Sequence, residues 1–367
     1  MKVNTTYANI DKLVELYNTP VMDLMYQAAT VHRENHNQNQ IQMSSLISIK
    51  TGGCTEDCSY CPQSIKYNTE LEVKPLMSVK EVVGLAKDAK SNGSARVCMG
   101  AAWREVRDNR DFDKIIEMVQ EINGMDMEVC ATLGMINSKQ AERLKNAGLY
   151  AYNHNLDSSK EFYKDIISTR EYDQRLDTIN NARQAGISVC SGGIIGMGET
   201  VNDRLGMLMT YVHMEQPPES LPINALVAVE GTPLEKQESV PVWDMIRMIA
   251  TSRILFPETI VRLSAGRTEM SQEAQAMCFF VGANSVFAGD KLLTTPNPEF
   301  NSDQALFKLL GLEIKKPFQD GEQPETLVDE KVEKAKKVRE EKLARAKKKT
   351  EEKSSESAFE PRKVFSK

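Results

Sequence analysis

The sequence predicts an α/β fold, a (β/α)₈ barrel of the TIM type, with helices before it and a charged tail after it. From residue 45 onward, short β-like runs alternate with amphipathic segments of helical length, which is the order of parallel strands joined by crossover helices. Eight such units fit within about 250 residues, the usual size of a closed barrel. An open, doubly wound sheet has a similar element order and is the alternative.

The predicted elements follow in order along the chain. Residues 5–43 are predicted to be helical, in two segments separated by Pro20, because apolar residues recur there at helical spacing. The eight predicted strands are 46–49, 95–99, 127–132, 149–155, 187–191, 223–229, 260–264 and 285–288. The predicted helices among them are 79–91, 112–124, 138–147, 172–185, 201–214, 242–256 and 271–281.

We expect three domains. An N-terminal helical segment (1–44) packs on the barrel (45–320), and a Lys/Glu-rich tail (321–367) follows. In the tail, the stretch 330–353 has few large apolar residues, and they form no coiled-coil seam. A solvated charged helix or disorder suits this composition, and a binding role for nucleic acid or a partner is the alternative.

Composition and charge exclude several classes of protein. The chain has 367 residues, of which 41% are hydrophobic, so a large core is possible. No window holds the run of roughly 18 apolar residues that a membrane helix needs, and the N-terminus lacks the apolar segment of a secretory signal. Seven cysteines without an export signal favour the reducing cytoplasm.

The net charge of −6 is unevenly distributed. Residues 324–367 contain 14 Lys or Arg and 10 Asp or Glu, so the body before them carries a charge of −10. Nucleic-acid binding depends mainly on basic contacts to phosphates, which an acidic body does not offer. We therefore expect neither a nucleic-acid nor a membrane partner.

Three cysteines follow the first predicted strand on a glycine-containing loop. Cys54, Cys58 and Cys61 have the spacing C-x₃-C-x₂-C. Thiolates this close in sequence can surround one metal centre, either zinc or an iron–sulfur cluster. A structural zinc site needs a fourth ligand, and no His or other Cys occurs between His36 and Cys98. Three ligands and one open position favour a [4Fe–4S] cluster.

Three more cysteines, Cys98, Cys130 and Cys190, each lie in a separate predicted strand. Alternate side chains of every barrel strand point inward and converge near the axis. A single strand cysteine is typical of apolar core, and Cys278, in an apolar helical stretch, is predicted to be core. The other three together, beside an iron–sulfur loop, predict one deep site.

The loop from Cys54 to Cys61, with Tyr60 before the last cysteine, resembles the signature of the radical S-adenosylmethionine (SAM) superfamily. The resemblance implies that the open iron of the [4Fe–4S] cluster binds SAM and cleaves it to methionine and a 5′-deoxyadenosyl radical. It also implies that Tyr60 lies near the adenine, and that Gly196 and Glu199, in a glycine-rich run, belong to the SAM site. A phosphate loop is disfavoured, because no Lys-Ser/Thr follows that run.

Longer stretches between about residue 10 and residue 315 resemble the biotin synthase family. They are 152–157, 189–200, 222–224, 261–267 and 292–298. In that family a [2Fe–2S] cluster lies deep in the barrel. The residues of this chain that match its ligands are Cys98, Cys130, Cys190 and Arg262.

Arg262 is an unusual ligand on physical grounds. Arginine is normally protonated and has no lone pair to offer, so binding iron requires the loss of a proton. An inward arginine more often pairs with a carboxylate. We take its ligand role from the resemblance, and we expect it to be less essential than the three cysteines. Ser264 has the same strand parity and is placed to hydrogen-bond Arg262.

Four polar residues fit a ligand cavity. Asn153, Asn155 and Asp157 share one face of the fourth predicted strand and its end. The resemblance places this region near the SAM ribose and the ureido ring of dethiobiotin. Asp157 suits ribose hydroxyls, whereas the amides of Asn153, Asn155 and Asn224 suit a ureido group. Asn155 is predicted to contact SAM as well as the substrate. Strand-end capping or turn chemistry is the alternative for each of them.

The resemblance implies an enzyme that inserts sulfur into dethiobiotin to form biotin. Two hydrogen abstractions by 5′-deoxyadenosyl radicals activate the substrate, and the [2Fe–2S] cluster supplies the sulfur. Reduced flavodoxin or ferredoxin is implied as the electron donor, with iron–sulfur assembly proteins as partners and a homodimer as the assembly. The alternatives are another radical SAM enzyme, such as a mutase or maturase, and a zinc- or iron-binding interaction module that docks through the tail.

Overall fold

The computed structural model describes residues 1–289 and 291–357. They divide into two compact units, Met1–Thr326 and a second unit that begins at Leu327. The strands are β1 (Gln40–Lys50), β2 (Arg96–Ala101), β3 (Glu128–Thr132), β4 (Ala151–Asn153), β5 (Ser188–Cys190), β6 (Gly193–Ile195), β7 (Ser220–Ala225), β8 (Ile260–Leu263), β9 (Ser285–Ala288), β10 (Lys291–Leu292), β11 (Thr295–Pro296) and β12 (Glu313–Ile314). The α-helices are α1 (Ile10–Tyr17), α2 (Val21–Asn35), α3 (Val79–Ser91), α4 (Arg110–Asn123), α5 (Ser138–Asn146), α6 (Tyr163–Ile166), α7 (Tyr172–Gln184), α8 (Val201–Val212), α9 (Val242–Leu255), α10 (Gln272–Phe280), α11 (Phe300–Leu310) and α12 (Glu330–Ser357).

The main sheet closes on itself. Within the described residues, parallel pairing runs from β1 through β2, β3, β4, β5, β7 and β8 to β9, and β9 returns to β1. Strand β6 also pairs with β7, so β5 and β6 together occupy one strand position and the barrel has eight. The predicted (β/α)₈ barrel is confirmed, and the open doubly wound sheet is excluded.

The first strand begins earlier than predicted. Residues 40–43 were expected to be helical, but β1 already starts at Gln40. The segment alternates polar and apolar residues, and the apolar Ile41 and Met43 are buried. A two-residue period fits a strand better than a helix, and pairing with β9 fixes this register.

The N-terminal helices pack against α9. The Asn9 side chain accepts hydrogen bonds from the first backbone N–H groups of α1, and Pro20 precedes α2. Arg247 of α9 donates to the carbonyl oxygens of Tyr17 (2.6 Å) and Thr19 (2.8 Å) between the two helices. The segment is therefore tied to the outer layer of the barrel.

The described part of the second unit contains one helix, α12, whose sequence is rich in Lys and Glu. A helix was one of the two predictions for this stretch, while residues 358–367 of the tail lie outside the described part. Among the described helices, none is both long enough and apolar enough to cross a membrane.

Candidate active site

A cavity of about 250 Å³ lies inside the barrel and reaches the loops that follow the strands. This is the end of the barrel at which parallel α/β barrels place their active sites. Among the polar and sulfur-bearing residues in its wall are Tyr60, Cys61, Gln63, Cys98, Cys130, Thr132, Asn153, Asn155, Asp157, Asn224, Arg262 and Ser264. Apolar side chains, among them Leu46, Ile194, Phe287, Leu292 and Leu293, line much of the remainder.

The loop cysteines, which are Cys54, Cys58 and Cys61, follow a sharp reversal after β1. Gly52 and the glycine after it both have φ near +70°, a conformation that side chains disfavour. The Cys54 N–H donates to the carbonyl of Gln63 (2.9 Å), and the Cys61 N–H donates to the carbonyl of Cys58 (2.9 Å). The loop therefore folds back so that its first cysteine lies beside its last turn.

The loop cysteines fit an iron–sulfur cluster in their chemistry. Burial raises the pKa of the Cys58 thiol to about 11, and burial with the nearby Cys58 raises that of Cys61 to about 12. Thiolates there need a positive centre to stabilise them, which bound iron provides. In the described part of the chain, no three His, Cys, Asp or Glu side chains meet closely enough to share a single metal ion. In a cubane cluster each cysteine instead binds its own iron.

The predicted ligands of the second cluster, called the barrel ligands below, come together deeper in the barrel. They are Cys98, Cys130, Cys190 and Arg262. Cys98 and Cys130 are direct neighbours in the register of β2 and β3, and all four side chains are buried. Arg262 Nη1 lies 3.8 Å from Cys190 Sγ. A hydrogen bond with Cys130 and the charge of Arg262 help to lower the pKa of Cys98 to about 7, whereas the bond with Cys98 raises the pKa of Cys130.

Arg262 is held by groups that sequence reasoning did not identify. Its Nε donates to Ser285 Oγ (2.9 Å), its Nη2 to Gln42 Oε1 (3.2 Å), and its guanidinium lies 4.4 Å from the centre of the Phe287 ring. The prediction that Ser264 hydrogen-bonds Arg262 is wrong, because β9 brings Ser285 alongside β8 and Ser285 takes that place. These partners in the described residues are neutral, so the carboxylate typical of an inward arginine is replaced by polar groups and a ring face.

Two buried hydroxyls near the barrel ligands lack a partner among the described residues. They are Ser44 Oγ and Ser220 Oγ. Ser44 neighbours Arg96 in the register of β1 and β2, and Ser220 neighbours Cys190 across β5 and β7. Buried hydroxyls are rarely unpaired, and the sulfur atoms of a [2Fe–2S] cluster would accept their hydrogen bonds. The site therefore fits such a group.

Asp157 is the centre of a polar network on the cavity wall. It has φ of +68° just beyond β4, so the chain turns there and directs the carboxylate toward Tyr60. Tyr60 donates to Asp157 Oδ2 (2.6 Å), and Arg175 Nη2 lies 2.6 Å from the same oxygen. Arg175 also donates to the carbonyl of Asn155 (2.6 Å). Sequence reasoning missed Arg175, because nothing in the pattern of α7 distinguishes this arginine from the others.

The three asparagines of the cavity wall are already partly paired. Asn153 Nδ2 donates to Asn155 Oδ1 (3.2 Å) and lies 3.2 Å from Cys190 Sγ. Asn224 Nδ2 donates to the carbonyl of Gly193 (2.9 Å), and its Oδ1 accepts from the Ala265 N–H (3.3 Å). Each amide group has capacity for at least one further hydrogen bond, which is what a bound polar ring requires.

Gly196 and Glu199 lie behind the wall rather than in it. The Glu199 carboxylate accepts hydrogen bonds from the N–H groups of Gly196 (2.8 Å) and Met197 (2.7 Å), and it pairs with Arg204 (2.7 Å). Its role in this structure is to fix the turn that follows β6. That turn adjoins Leu226, which lines the cavity.

Comparisons with known proteins define the class. Residues 48–210 match the family model of the radical SAM superfamily, and residues 222–313 match that of the biotin and thiamin synthesis associated domain. The FeFe-hydrogenase maturase HydG from Carboxydothermus hydrogenoformans has a similar fold, with a TM-score of 0.73 and 18% identity over 84% of this chain and 76% of that one. The chain is a radical SAM protein.

Close relatives define the family. The biotin synthase of Christiangramia forsetii is 62% identical over 321 residues, covering 88% of each chain. The biotin synthase of Flavobacterium johnsoniae is 61% identical over 317 residues, covering 86% of this chain and 87% of that one. The chain belongs to the biotin synthase family.

Proposed function

We propose that this chain is a radical SAM sulfurtransferase that inserts sulfur into dethiobiotin to form biotin. One observation carries the proposal: a single cavity is bounded by Cys61 of the loop cysteines and by Cys98, Cys130 and Arg262 of the barrel ligands. A molecule bound between them contacts both groups of residues. Family membership then gives the substrate and the product.

The two groups of residues divide the chemistry. When bound, a [4Fe–4S] cluster on the loop cysteines supplies the electron that cleaves SAM, and a [2Fe–2S] cluster on the barrel ligands supplies the sulfur. The remaining polar residues hold the reactants in line. Asp157 Oδ2 is occupied by Tyr60 and Arg175, which leaves Oδ1 to accept from a ribose hydroxyl. This fixed orientation reduces the entropy lost on the way to reaction.

The cavity wall suits a molecule with a polar ring and a hydrocarbon chain. Asn153, Asn155 and Asn224 offer free amide positions to the ureido ring. Leu46 and Phe287 belong to the apolar part of the wall, which shields the reacting carbons from water. Gly196 and Glu199 support the SAM site from behind by fixing the turn after β6.

The proposal requires a one-electron donor and a source of clusters. By family resemblance we assign these roles to reduced flavodoxin or ferredoxin and to iron–sulfur assembly proteins. We also propose a homodimer that works in the cytoplasm, the compartment in which iron–sulfur cysteines stay reduced.

The test is an anaerobic incubation of the reconstituted protein with SAM, dithionite and dethiobiotin, analysed by mass spectrometry. We expect both biotin and 5′-deoxyadenosine. The matched control is Cys278→Ser, because Cys278 is fully buried in α10 and lies outside the cavity wall. Deoxyadenosine without biotin would indicate a different radical SAM enzyme. Neither product, from protein shown to hold both clusters, would contradict the proposal.

A further inference from the structure

A short hairpin separates the inner cavity from a larger outer groove. The hairpin consists of β10 and β11, joined at Leu293 and Thr294. The outer groove, of about 790 Å³, lies beside β1 and α3 and also borders the stretch 70–72. Leu46, Leu293 and Thr294 line both spaces, so these side chains form the partition between them.

Leu293 packs into a space, called the seat below, that Gly100 leaves open because it has no side chain. A Cβ atom on Gly100 would lie 2.5 Å from Leu293 Cδ2, closer than carbon atoms approach one another. Gly100 is two residues after Cys98 on β2 and therefore shares its inward face. Leu293 thus lies against the layer just above Cys98. Its own φ of +50° is unfavourable for leucine, so the seat holds a strained residue in place.

The base of the hairpin is fixed more firmly than its tip. Asn297 donates to the carbonyls of Phe287 (3.0 Å) and Gly289 (2.7 Å). Arg267 donates to the Phe287 carbonyl (2.9 Å) and forms a fully buried ion pair with Asp303. These contacts hold Phe287 and Gly289 on one side of the hairpin and Asn297 and Asp303 on the other. At the tip, Leu293 packs on Gly100 of the barrel wall.

We propose that Leu293 is the latch of a gate between the outer groove and the inner cavity. Seated on Gly100, it holds the hairpin closed over the barrel ligands and excludes water from them. When Leu293 moves away from Gly100, the hairpin rotates about its fixed base, and the outer groove becomes connected to the inner cavity. The inference rests on the proposed function only in that dethiobiotin is taken as the molecule that passes.

Trypsin cleavage after Lys291 measures the opening of the gate. The lysine side chain is already exposed, but the protease must also bind the residues on either side in an extended form, which the closed hairpin prevents. The readout is the appearance of a new chain end at Leu292 under native anaerobic conditions. Since cleavage tracks the population of the open state, Gly100→Ala should raise its rate on the order of tenfold. The matched control is Gly84→Ala, where an added Cβ meets no atom within 4 Å, and its rate should equal that of the wild type.

Leu293→Ala removes the same contact by shortening the other residue. Its result does not depend on how well Gly100→Ala folds. It should also raise the cleavage rate, and the double variant should be no faster than the faster single variant, because both remove one contact. The proposal that Leu293 is a latch would be overturned by an unchanged cleavage rate in Leu293→Ala. It would also be overturned if the effects of the two substitutions multiplied in the double variant. SAM with dethiobiotin should slow cleavage of the wild type. If the variants behave as expected but these ligands do not protect, the latch stands and the proposed substrate is wrong.

Discussion

Arg175 and Asp157 form a buried ion pair on the wall of the cavity, with Arg175 Nη2 2.6 Å from Asp157 Oδ2. The same oxygen accepts a hydrogen bond from Tyr60, the aromatic residue of the cysteine loop. The pair therefore connects α7, the end of β4 and the loop that carries the loop cysteines. It fixes the site before any ligand binds, which is how rigid sites obtain accurate geometry.

We expect Arg175→Met to destabilise the protein by about 3–5 kcal/mol, because it leaves a buried carboxylate without its partner. Urea unfolding measures the loss, and equilibrium binding should show weaker affinity for SAM. The control is Lys160→Met, which removes a solvent-exposed pair with Asp173 and should change stability far less. Equal losses in the two variants would contradict the role given to Arg175.

The sequence predicted the parts of the site that depend on patterns within short stretches of the chain. The spacing of Cys54, Cys58 and Cys61 is a local pattern. The occurrence of three further cysteines in separate strands, beside that loop, predicted one deep site. The partners of Arg262 were missed, because Gln42 is 220 positions away in sequence and meets it only when β9 closes the barrel onto β1. Arg175 was missed for the same reason, since its contact with Asp157 depends on how α7 packs.

Cys130→Ser separates the two halves of the reaction. The loop cysteines are intact in this variant, so it should still produce 5′-deoxyadenosine, but it should form no biotin, because a barrel ligand is lost. Cys54→Ser should abolish both products. Mass spectrometry of single incubations measures both yields. Biotin from the Cys130 variant would remove the barrel ligands from the role of sulfur donor.

Arg262→Met should weaken biotin formation without abolishing it. In the proposed site three cysteines would still hold the second cluster, and a ligating arginine would contribute less because it must first lose a proton. We expect a loss of roughly 10- to 100-fold in activity, the range found when a supporting group around a metal site is removed and the main ligands stay. Cys190→Ser is the comparison and should give no biotin. The ultraviolet–visible spectrum of the second cluster should shift in Arg262→Met but persist, and its complete absence would show that the arginine is essential for assembly.

Removal of residues 327–367 should leave biotin formation unchanged. Every residue in the wall of the cavity precedes Pro296, and the first compact unit ends at Thr326. The yield of biotin by the truncated chain, measured beside the full chain, tests this. A large loss would assign the Lys/Glu-rich helix a part in turnover.

A pair of buried histidines makes stability depend on pH. The Arg253 guanidinium donates to His36 Nε2 (2.8 Å), and the rings of His36 and His32 stack with their centres 5.4 Å apart. Burial first, and then the charge of Arg253, lowers the pKa of His36 to about 4 and that of His32 to about 3. Both rings therefore remain neutral in the folded protein at pH values where they are protonated in the unfolded chain.

The sign of the effect follows from proton binding. Below the ordinary histidine pKa of about 6.5, the unfolded chain binds protons that the folded protein does not, so the free energy of unfolding falls as pH falls. The stabilisation is complete above pH 6.5 and is lost progressively toward pH 4. Between pH 7 and pH 5, His36→Gln should lose roughly 2 kcal/mol less than the wild type. Urea unfolding at both pH values measures the difference. His213→Gln, at an exposed position, should follow the wild type, and a His36→Gln curve parallel to the wild type would contradict the account.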